Sequence, residues 1–226
     1  MKGRLTMKLY LFSLFTICLC MGCGASYSVE INGYAASGQS LQIPQAASIC
    51  VVTDGNAPNP ILEKEVGVKI EKLLTEKGFR VEGVPPSNRG QDARDTADYF
   101  LRFSYGIDAG RTVTEAIPVH HPMFYDEYPF SGFYWRGYTT YMPYSEVIHT
   151  RWLVLRLYEG PPDKASKAAK PLWIGEVTSA GTSSDLRELL NYMLVAAFEH
   201  FGQDTRRQIS TVIPRDDERV LQLTEP

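Results

Sequence analysis

The sequence predicts an α+β fold in two layers: a mainly antiparallel sheet of about five strands, with two amphipathic helices on one face. Three observations support this prediction. Two segments, near residues 60–77 and 186–201, carry apolar residues at helical spacing. Several shorter runs alternate apolar and polar residues, as half-buried strands do. The later strands follow one another without an intervening helix, which favours an antiparallel meander.

Both predicted helices have recognisable ends. Asn59 is a suitable N-cap, and Pro60 fits the first helical position because its missing N–H has no helical partner there. Gly78 ends this helix, since glycine adopts the left-handed conformation without a Cβ clash. The second helix follows Asp185, which forms a capping-box pattern with Glu188.

Strands are predicted before each helix and after the first one. They are bounded by Gly, Pro and Asn turn residues, which interrupt a regular ladder. The predicted strands cover residues 27–34, 47–53, 79–84, 98–107, 149–158 and 172–179, and the strand at 98–107 is expected to continue through Thr112 and Thr114.

The chain begins with basic residues followed by an apolar run over residues 9–20. This run is shorter than the roughly 20 residues that a membrane-spanning helix needs, and it is typical of a signal peptide. A cut between Gly22 and Cys23 resembles the bacterial lipobox, in which the cysteine takes a diacylglyceryl group. The position three residues before that cysteine is usually Leu, and here it is Cys20.

Lipid on Cys23 would hold the domain at a membrane. The thiolate is the nucleophile that forms the thioether, and two or more acyl chains anchor a protein firmly. Gly24, in place of Asp, resembles the sorting signal of outer-membrane lipoproteins, so we expect an outer-membrane protein facing the periplasm. The alternatives are a secretory signal without lipid and an uncleaved anchor.

The domain organisation follows from this start. Removing the signal peptide, residues 1–22, leaves a chain of the length of one domain. The expected parts are an N-terminal segment at 23–46, an α+β domain at 47–202 and a polar C-terminal tail at 203–226. An aromatic insertion at 118–145 interrupts the domain.

Composition excludes some partners. The formal net charge is -3, and basic residues cluster only at Arg206-Arg207, so no nucleic-acid surface is expected. Beyond Cys23, the mature chain carries one cysteine, Cys50, inside an apolar run. We predict that it is a buried core residue rather than a nucleophile.

Short motifs give the chain a resemblance to a known group. They are the lipobox-like start, an early β-helix-β unit, Ala97-Asp98-Tyr99 opening a long strand, and Leu172-Trp173-Ile174-Gly175 before a closing helix. Over roughly residues 25–202 the chain resembles an uncharacterised family of bacterial lipoproteins, known only as a domain of unknown function. The resemblance implies an envelope lipoprotein, an accessory to an assembly or transport system, and it supplies no catalytic residues.

The stretch 124–144 is the candidate interaction surface. It holds 10 aromatic residues in 21 positions, against 12% aromatic residues in the whole chain. Aromatic rings with polar tips suit an interface with a protein or with lipid headgroups, and they also stack on sugars. Alternatively, the rings complete the core over the open sheet face, or the stretch has no function. The candidates are Tyr125, Tyr128, Phe130, Phe133, Tyr134, Trp135 and Tyr138.

No motif predicts catalysis. The chain has no Gly-x-Ser-x-Gly elbow and no phosphate-binding loop, and the pair His120-His121 lacks the spacing of metal ligands. We therefore expect no catalytic residues, no metal and no cofactor.

The predicted function is that of a non-enzymatic envelope lipoprotein. Its partners would be the membrane, through lipid on Cys23, and an envelope protein. The alternative is a glycan or small-molecule binder that uses the aromatic stretch, followed by a periplasmic hydrolase.

Overall fold

A computed structural model of the chain describes residues 26–53, 58–82, 97–123, 136–160 and 170–224. These residues form eight strands and three helices. The elements are β1 (Ser26–Ala35), β2 (Ser48–Val52), α1 (Pro60–Glu76), β3 (Arg80–Glu82), β4 (Tyr99–Ile107), β5 (Arg111–Met123), β6 (Arg136–Glu159), β7 (Trp173–Gly181), α2 (Leu186–Glu199), β8 (Ile209–Pro214) and α3 (Glu218–Thr224).

The strands form one mixed sheet in the order β3-β2-β4-β6-β7-β1-β8, and β5 pairs with β6 outside this path. Strand β2 is parallel to β3 and to β4, and the other pairs are antiparallel. Strand accounts for 48% of the fold and helix for 24%. The predicted fold class, a two-layer α+β fold with an antiparallel sheet of about five strands and two helices, is therefore wrong.

The error has a physical cause. Strand β8 pairs with β1, so that Ile31 lies opposite Ile209 although most of the chain separates them. Such a pairing depends on a contact between distant segments, so the sequence near either strand does not predict it. Strands β2 and β3 are parallel because α1 carries the chain back across the sheet between them, and the prediction of a mainly antiparallel sheet left this out.

The predicted helix starts are confirmed. The Asn59 side chain accepts a hydrogen bond from the Leu62 N–H at 3.0 Å, and Pro60 begins α1. The Asp185 side chain accepts from the Glu188 N–H at 3.0 Å at the start of α2. The Glu188 carboxylate does not complete the capping box, because it accepts a hydrogen bond from the Tyr27 hydroxyl at 3.3 Å.

The main core lies between the sheet and the helices. Helix α1 packs on β2 and β3, α2 packs on β7, β1 and β6, and α1 also contacts α2. On β6 the inward residues Leu153, Leu155 and Leu157 are fully buried. We name the side of the sheet that carries them the helix side. The opposite side, which holds a smaller buried cluster of Cys50, Ala97 and Phe100, is named the open side.

The motif residues of the family resemblance have structural roles here. The indole of Trp173 is buried and donates from Nε1 to the Gln203 carbonyl at 2.9 Å. A Cβ on Gly175 would lie 2.3 Å from this ring, so only glycine fits beneath it. The Asp98 carboxylate accepts from the backbone N–H and the hydroxyl of Ser48, at 2.8 and 2.9 Å, and joins the starts of β2 and β4.

The regions expected outside the domain belong to the sheet and its helices. In the segment 23–46, β1 lies between β7 and β8. In the stretch 203–226, β8 and α3 contribute the buried side chains Ile213, Val220 and Leu223 to the core.

Candidate functional site

The predicted site residues fall mostly outside the described ranges. These are the lipidation residue Cys23 and the aromatic residues Tyr125, Tyr128, Phe130, Phe133, Tyr134 and Trp135. Tyr138 is described. It lies on β6, its side chain is 48% exposed, and its ring stacks on that of His121 with 4.8 Å between centroids.

The part of the aromatic stretch that is described is strand and not loop. Residues 136–148 of β6 pair with all of β5, from Arg111 opposite Ile148 to Met123 opposite Arg136. The resulting β5–β6 hairpin extends the sheet beyond β4 and β7, which pair with the later half of β6. We consider this hairpin the candidate functional site.

A β-bulge separates the hairpin from the rest of the sheet. Ile107 opposes Arg151 and Arg111 opposes Ile148, so the strand from β4 to β5 advances four residues while β6 advances three. One extra residue of this kind defines a bulge, which kinks and twists the ribbon. Gly110 supplies the left-handed conformation there, with φ of 81°.

Asp108 holds the bulge in place. Its Oδ1 accepts hydrogen bonds from the backbone N–H groups of Thr150, at 2.9 Å, and Gly110, at 3.0 Å. The bond from Thr150 is the main reason why the pKa of this carboxyl lies below its usual range. A Cβ on Gly110 would lie 2.7 Å from the His149 ring and from Val147, so a larger residue there meets neighbours as well as backbone strain.

The two faces of the hairpin differ in chemistry. Opposed residues of an antiparallel pair share a face, and successive residues alternate between faces. We name one the apolar face; its apolar members are Val113, Ile117, Val119, Tyr138, Met142, Tyr144 and Ile148. We name the other the hydroxyl face; it carries Thr112, Thr114, Ala116, Pro118, His120, Thr139, Tyr141, Pro143, Ser145 and Val147.

The apolar face lies on the open side of the sheet. Its β6 members have even numbers, whereas the β6 residues beneath the helices, such as Leu153 and Leu155, have odd numbers. Because β6 is one uninterrupted strand of 24 residues, even and odd positions point to opposite sides. Helices α1 to α3 therefore do not cover the apolar face, and Ile117 and Met142 at its centre are 45% and 56% exposed.

Three prolines protect the edges of the hairpin. Pro118, Pro122 and Pro143 all belong to pairs that join an even position of β5 to an odd position of β6. In an antiparallel ladder, pairs that bond to each other through their backbone groups alternate with pairs whose backbone groups point outward. Proline has no N–H to donate across the ladder, and the ladder continues past all three prolines, so they lie in pairs whose backbone groups point outward. Each outer edge therefore lacks a donor at its proline positions, which disfavours addition of another strand there.

The two histidines of the hairpin bond to neighbouring threonines. His120 Nδ1 lies 2.8 Å from the Thr139 hydroxyl, and His121 Nε2 lies 2.8 Å from the Thr140 hydroxyl. The adjacent rings lie on opposite faces. Within the described ranges no group of three His, Cys, Asp or Glu side chains could hold a metal ion.

A second concavity lies on the helix side, with a volume of about 570 Å³, between α1, the start of α2 and α3. Its charged side chains bond mostly to one another. Glu65 accepts from Lys69 at 2.5 Å and from Arg187 at 2.8 Å, and Lys72 donates to the Gln222 carbonyl at 2.7 Å. These bonds link the helices, and the lining keeps an excess of positive charge, with Lys64, Lys69, Lys72 and Arg187 against one carboxylate, Glu65.

Other candidates for chemistry have structural surroundings. Cys50 is fully buried, and Asp98 and Asp108 accept hydrogen bonds from Ser48 and from Thr150, at opposite ends of β4. No described helix is long and apolar enough to cross a membrane.

Sequence reasoning predicted strand as far as Thr114 and missed the rest of the hairpin, although a signal was present. Apolar side chains recur at alternate positions, at 117 and 119 on β5 and at 142 and 144 on β6. The prolines in both strands masked this signal, because proline within a run argues against a strand unless it lies at an edge.

No family model matches this chain, and no curated protein matches it. A PDZ domain protein from Parabacteroides distasonis is 14% identical, with a TM-score of 0.43, over 83% of this chain and 39% of that one. The PelC dodecamer from Paraburkholderia phytofirmans is 9% identical, with a TM-score of 0.40, over 75% of this chain and 94% of that one. A neuraminyllactose-binding hemagglutinin homolog from Helicobacter pylori is 13% identical, with a TM-score of 0.28, over 73% of this chain and 86% of that one. At these TM-scores the likenesses assign no fold family and no function.

Proposed function

We propose that this protein is a non-enzymatic envelope lipoprotein, anchored by lipid on Cys23, that acts as a docking or accessory factor at the outer membrane. The observation that carries the proposal is the β5–β6 hairpin and its exposed apolar face. Half of the large apolar side chains that are exposed in the described residues lie on the hairpin: Ile117, Tyr138, Met142 and Tyr144 on the apolar face, and Tyr141 and Val147 on the hydroxyl face.

The exposed apolar face of this two-stranded ribbon favours contact with another surface. Two strands alone are marginally stable in water, and independent stability needs a third strand or a packed apolar face. Contiguous exposed apolar surface on a protein marks a site of interaction with a protein, a ligand or a membrane. The hairpin therefore fits a docking element better than a catalytic one.

The sequence supports the anchor. The basic start, the short apolar run and the pair Gly22-Cys23 resemble a lipoprotein signal, and Gly24 resembles the outer-membrane sorting signal. Strand β1 begins at Ser26, so the folded domain would start directly after the lipidated residue.

The test of the anchor is the intact mass of the protein extracted from membranes, with Cys23→Ser as the control. The expected result is a mature chain that begins at Cys23 and carries the added mass of acyl groups, and a variant that carries none. A mature chain without lipid would contradict the proposal.

To test the docking role, a variant must lack the hairpin and keep the rest of the folded domain. Glu115 lies opposite Tyr144, so residues 116–143 can be replaced by an Asn-Gly turn without a change of register. This variant should keep the unfolding behaviour and the lipid of the natural chain and lose its function in the envelope. A hairpin-free protein that complements a deletion strain fully would remove the docking role.

A further inference from the structure

The start of β1 and the base of the hairpin lie at the same end of the sheet. His149 opposes Gly181 across β6 and β7, and Glu30 opposes Thr178 across β7 and β1. Counting three residues back from Glu30 along β1, and three forward from Thr178 along β7, brings the start of β1 level with Gly181. Gly181 lies opposite His149, at the base of the hairpin, so the start of β1 is level with that base. The Ser179 hydroxyl, which donates to the Ser28 carbonyl at 2.8 Å, marks the same level.

The directions of the strands agree as well. Strand β7 is antiparallel to both β6 and β1, so β1 and β6 run the same way. Strand β6 runs from the tip of the hairpin into the body. The start of β1 therefore lies at the end of the sheet from which the hairpin projects.

The distances are short compared with the hairpin. Cys23 lies three residues before Ser26, so whatever path the chain takes, the two Cα atoms are at most about 11 Å apart. Strands β6 and β1 are two strand spacings apart, or roughly 10 Å. The hairpin spans 13 residues of β5, or roughly 44 Å.

We infer that the apolar face of the hairpin rests on the lipid bilayer that holds the Cys23 lipid; this inference rests on the proposed function. The anchor brings the bilayer surface within reach of the hairpin base, and the hairpin then covers far more membrane than the anchor does. Two attachments together hold a lipoprotein in one orientation, which a single flexible anchor does not.

The distribution of charge fits a lipid surface. Arg111, Glu115 and Glu146 lie on the apolar face near the base of the hairpin. Beyond them, residues 116–123 and 137–143 contain no Asp, Glu, Lys or Arg. The tyrosines of the apolar face carry an apolar ring and a polar hydroxyl, which is the chemistry that residues at a membrane–water interface share.

The hairpin lies in the headgroup region and does not enter the hydrocarbon. Its two outer edges carry backbone groups without a strand partner, and each unsatisfied group costs several kcal/mol in the acyl core. With the apolar face down, the threonines and serine of the hydroxyl face remain in water. Few basic residues lie along the hairpin, so binding should depend only weakly on anionic lipid and on salt.

A second copy of the chain is a poorer occupant. A ribbon roughly 44 Å long and 10 Å wide offers about 440 Å², whereas a stable interface buries about 800 Å² on each partner. The outward prolines also disfavour pairing of two hairpins edge to edge.

Spin labels on opposite faces of the hairpin test the inference. The pair Ile117→Cys and Ala116→Cys places labels on adjacent residues of β5, one on the apolar face and one on the hydroxyl face. Cys50 is fully buried and does not react. The lipidated protein is reconstituted into phosphatidylethanolamine–phosphatidylglycerol vesicles, and the accessibility of each label to oxygen and to a nickel chelate is measured.

The expected result is a label at position 117 that becomes more accessible to oxygen than to nickel in vesicles, while the label at 116 keeps its values in water. Equal, water-like values at both positions would overturn the inference. A label at 117 that is shielded from both reagents would also overturn it, because protein would then cover the face, and dipolar broadening would identify a second copy.

The unlipidated Cys23→Ser protein separates this inference from the proposed function. It should still float with the vesicles to a measurable extent, and Ile117→Glu should reduce that fraction roughly tenfold, the loss expected for one buried aliphatic side chain. The matched Ala116→Glu variant should leave it unchanged. The intact mass reports the anchor independently, so an anchored protein with a water-exposed apolar face would refute the inference alone.

Discussion

The inner and outer halves of β6 belong to one strand and differ in what lies against them. In the inner half, Leu153, Leu155 and Leu157 point to the helix side and are fully buried. In the outer half the apolar residues, such as Tyr138 and Met142, point to the open side and are about half exposed. The apolar set changes sides at the level of the bulge.

This difference teaches that alternation alone does not define a core. Alternating apolar residues show that a strand has one face out of water. Whether that face meets a helix or another surface depends on the elements that pack nearby. In the inner half α2 supplies the cover, and in the outer half we expect the bilayer to supply it.

The largest effect should come from the inner half. Leu155→Ala removes a fully buried side chain from the centre of the sheet and leaves a cavity. The expected loss is about 2–5 kcal/mol in the free energy of unfolding, measured by urea denaturation. A loss below about 1 kcal/mol would show that the inner half of β6 is not tightly packed, which would contradict the difference drawn between the two halves.

A substitution at the boundary should loosen the outer half alone. Gly110→Val introduces a β-branched residue at φ of 81° and a Cβ that meets His149 and Val147. We expect a cost of about 1–3 kcal/mol, concentrated in the hairpin. Hydrogen exchange should show faster exchange across β5 and unchanged protection in β7. Equal loss of protection in both strands would contradict a separate outer half.

A pH-dependent effect on stability should come from Asp98, at the end of β4 that is far from the hairpin. Hydrogen bonds from Ser48 lower the pKa of the Asp98 carboxyl, first through its backbone N–H and then through its hydroxyl. Because the folded pKa is lowered, the charged form stabilises the fold above the unfolded value near about 4, and this contribution is lost as the pH falls through the folded value. Asp98→Asn should therefore destabilise the protein at neutral pH.

The test for Asp98 is thermal unfolding as a function of pH. The difference between the natural chain and Asp98→Asn should shrink as the pH falls below about 4. A constant difference across that range would mean that the variant acts through packing and not through the charge.

The smallest effect should come from the outer half in water. Met142→Ala changes a side chain that is 56% exposed and has no helix against it. The expected change in the free energy of unfolding is within about 0.5 kcal/mol. The same variant should bind less well to lipid vesicles than the natural chain does. A small effect on stability in water together with weaker vesicle binding would distinguish the outer half of β6 from the inner half. A large loss in water would reveal a cover for the apolar face within the chain itself.

Local signals sufficed for several elements. The caps Asn59 and Asp185 could be predicted because a cap is decided by a side chain and a backbone N–H three residues away. The strands around Leu155 and Trp173 could be predicted from their runs of apolar residues. The buried state of Cys50 could be predicted from its neighbours, and the structure confirms it.

The number and the direction of the strands could not be predicted in the same way. The pairing of β1 with β8 and the parallel alignment of β2 with β3 are contacts between distant segments. The candidate site shows the same limit. Tyr138 could be chosen as a candidate interaction residue from its aromatic neighbours, but its place on an open β-ribbon depends on the register with His121.

The sequence by itself determined the starts of α1 and α2, the alternating strands and the lipobox-like start at Cys23, because each depends on residues within a few positions of one another. Only the tertiary structure decided that β1 lies two strands from β6, that a bulge at Gly110 shifts the alternation of β5 relative to β4, and that the start of β1 and the base of the hairpin lie at one end of the sheet. Those features arise from hydrogen bonds between segments far apart in the chain, and a bond of that kind exists only once the sheet has formed.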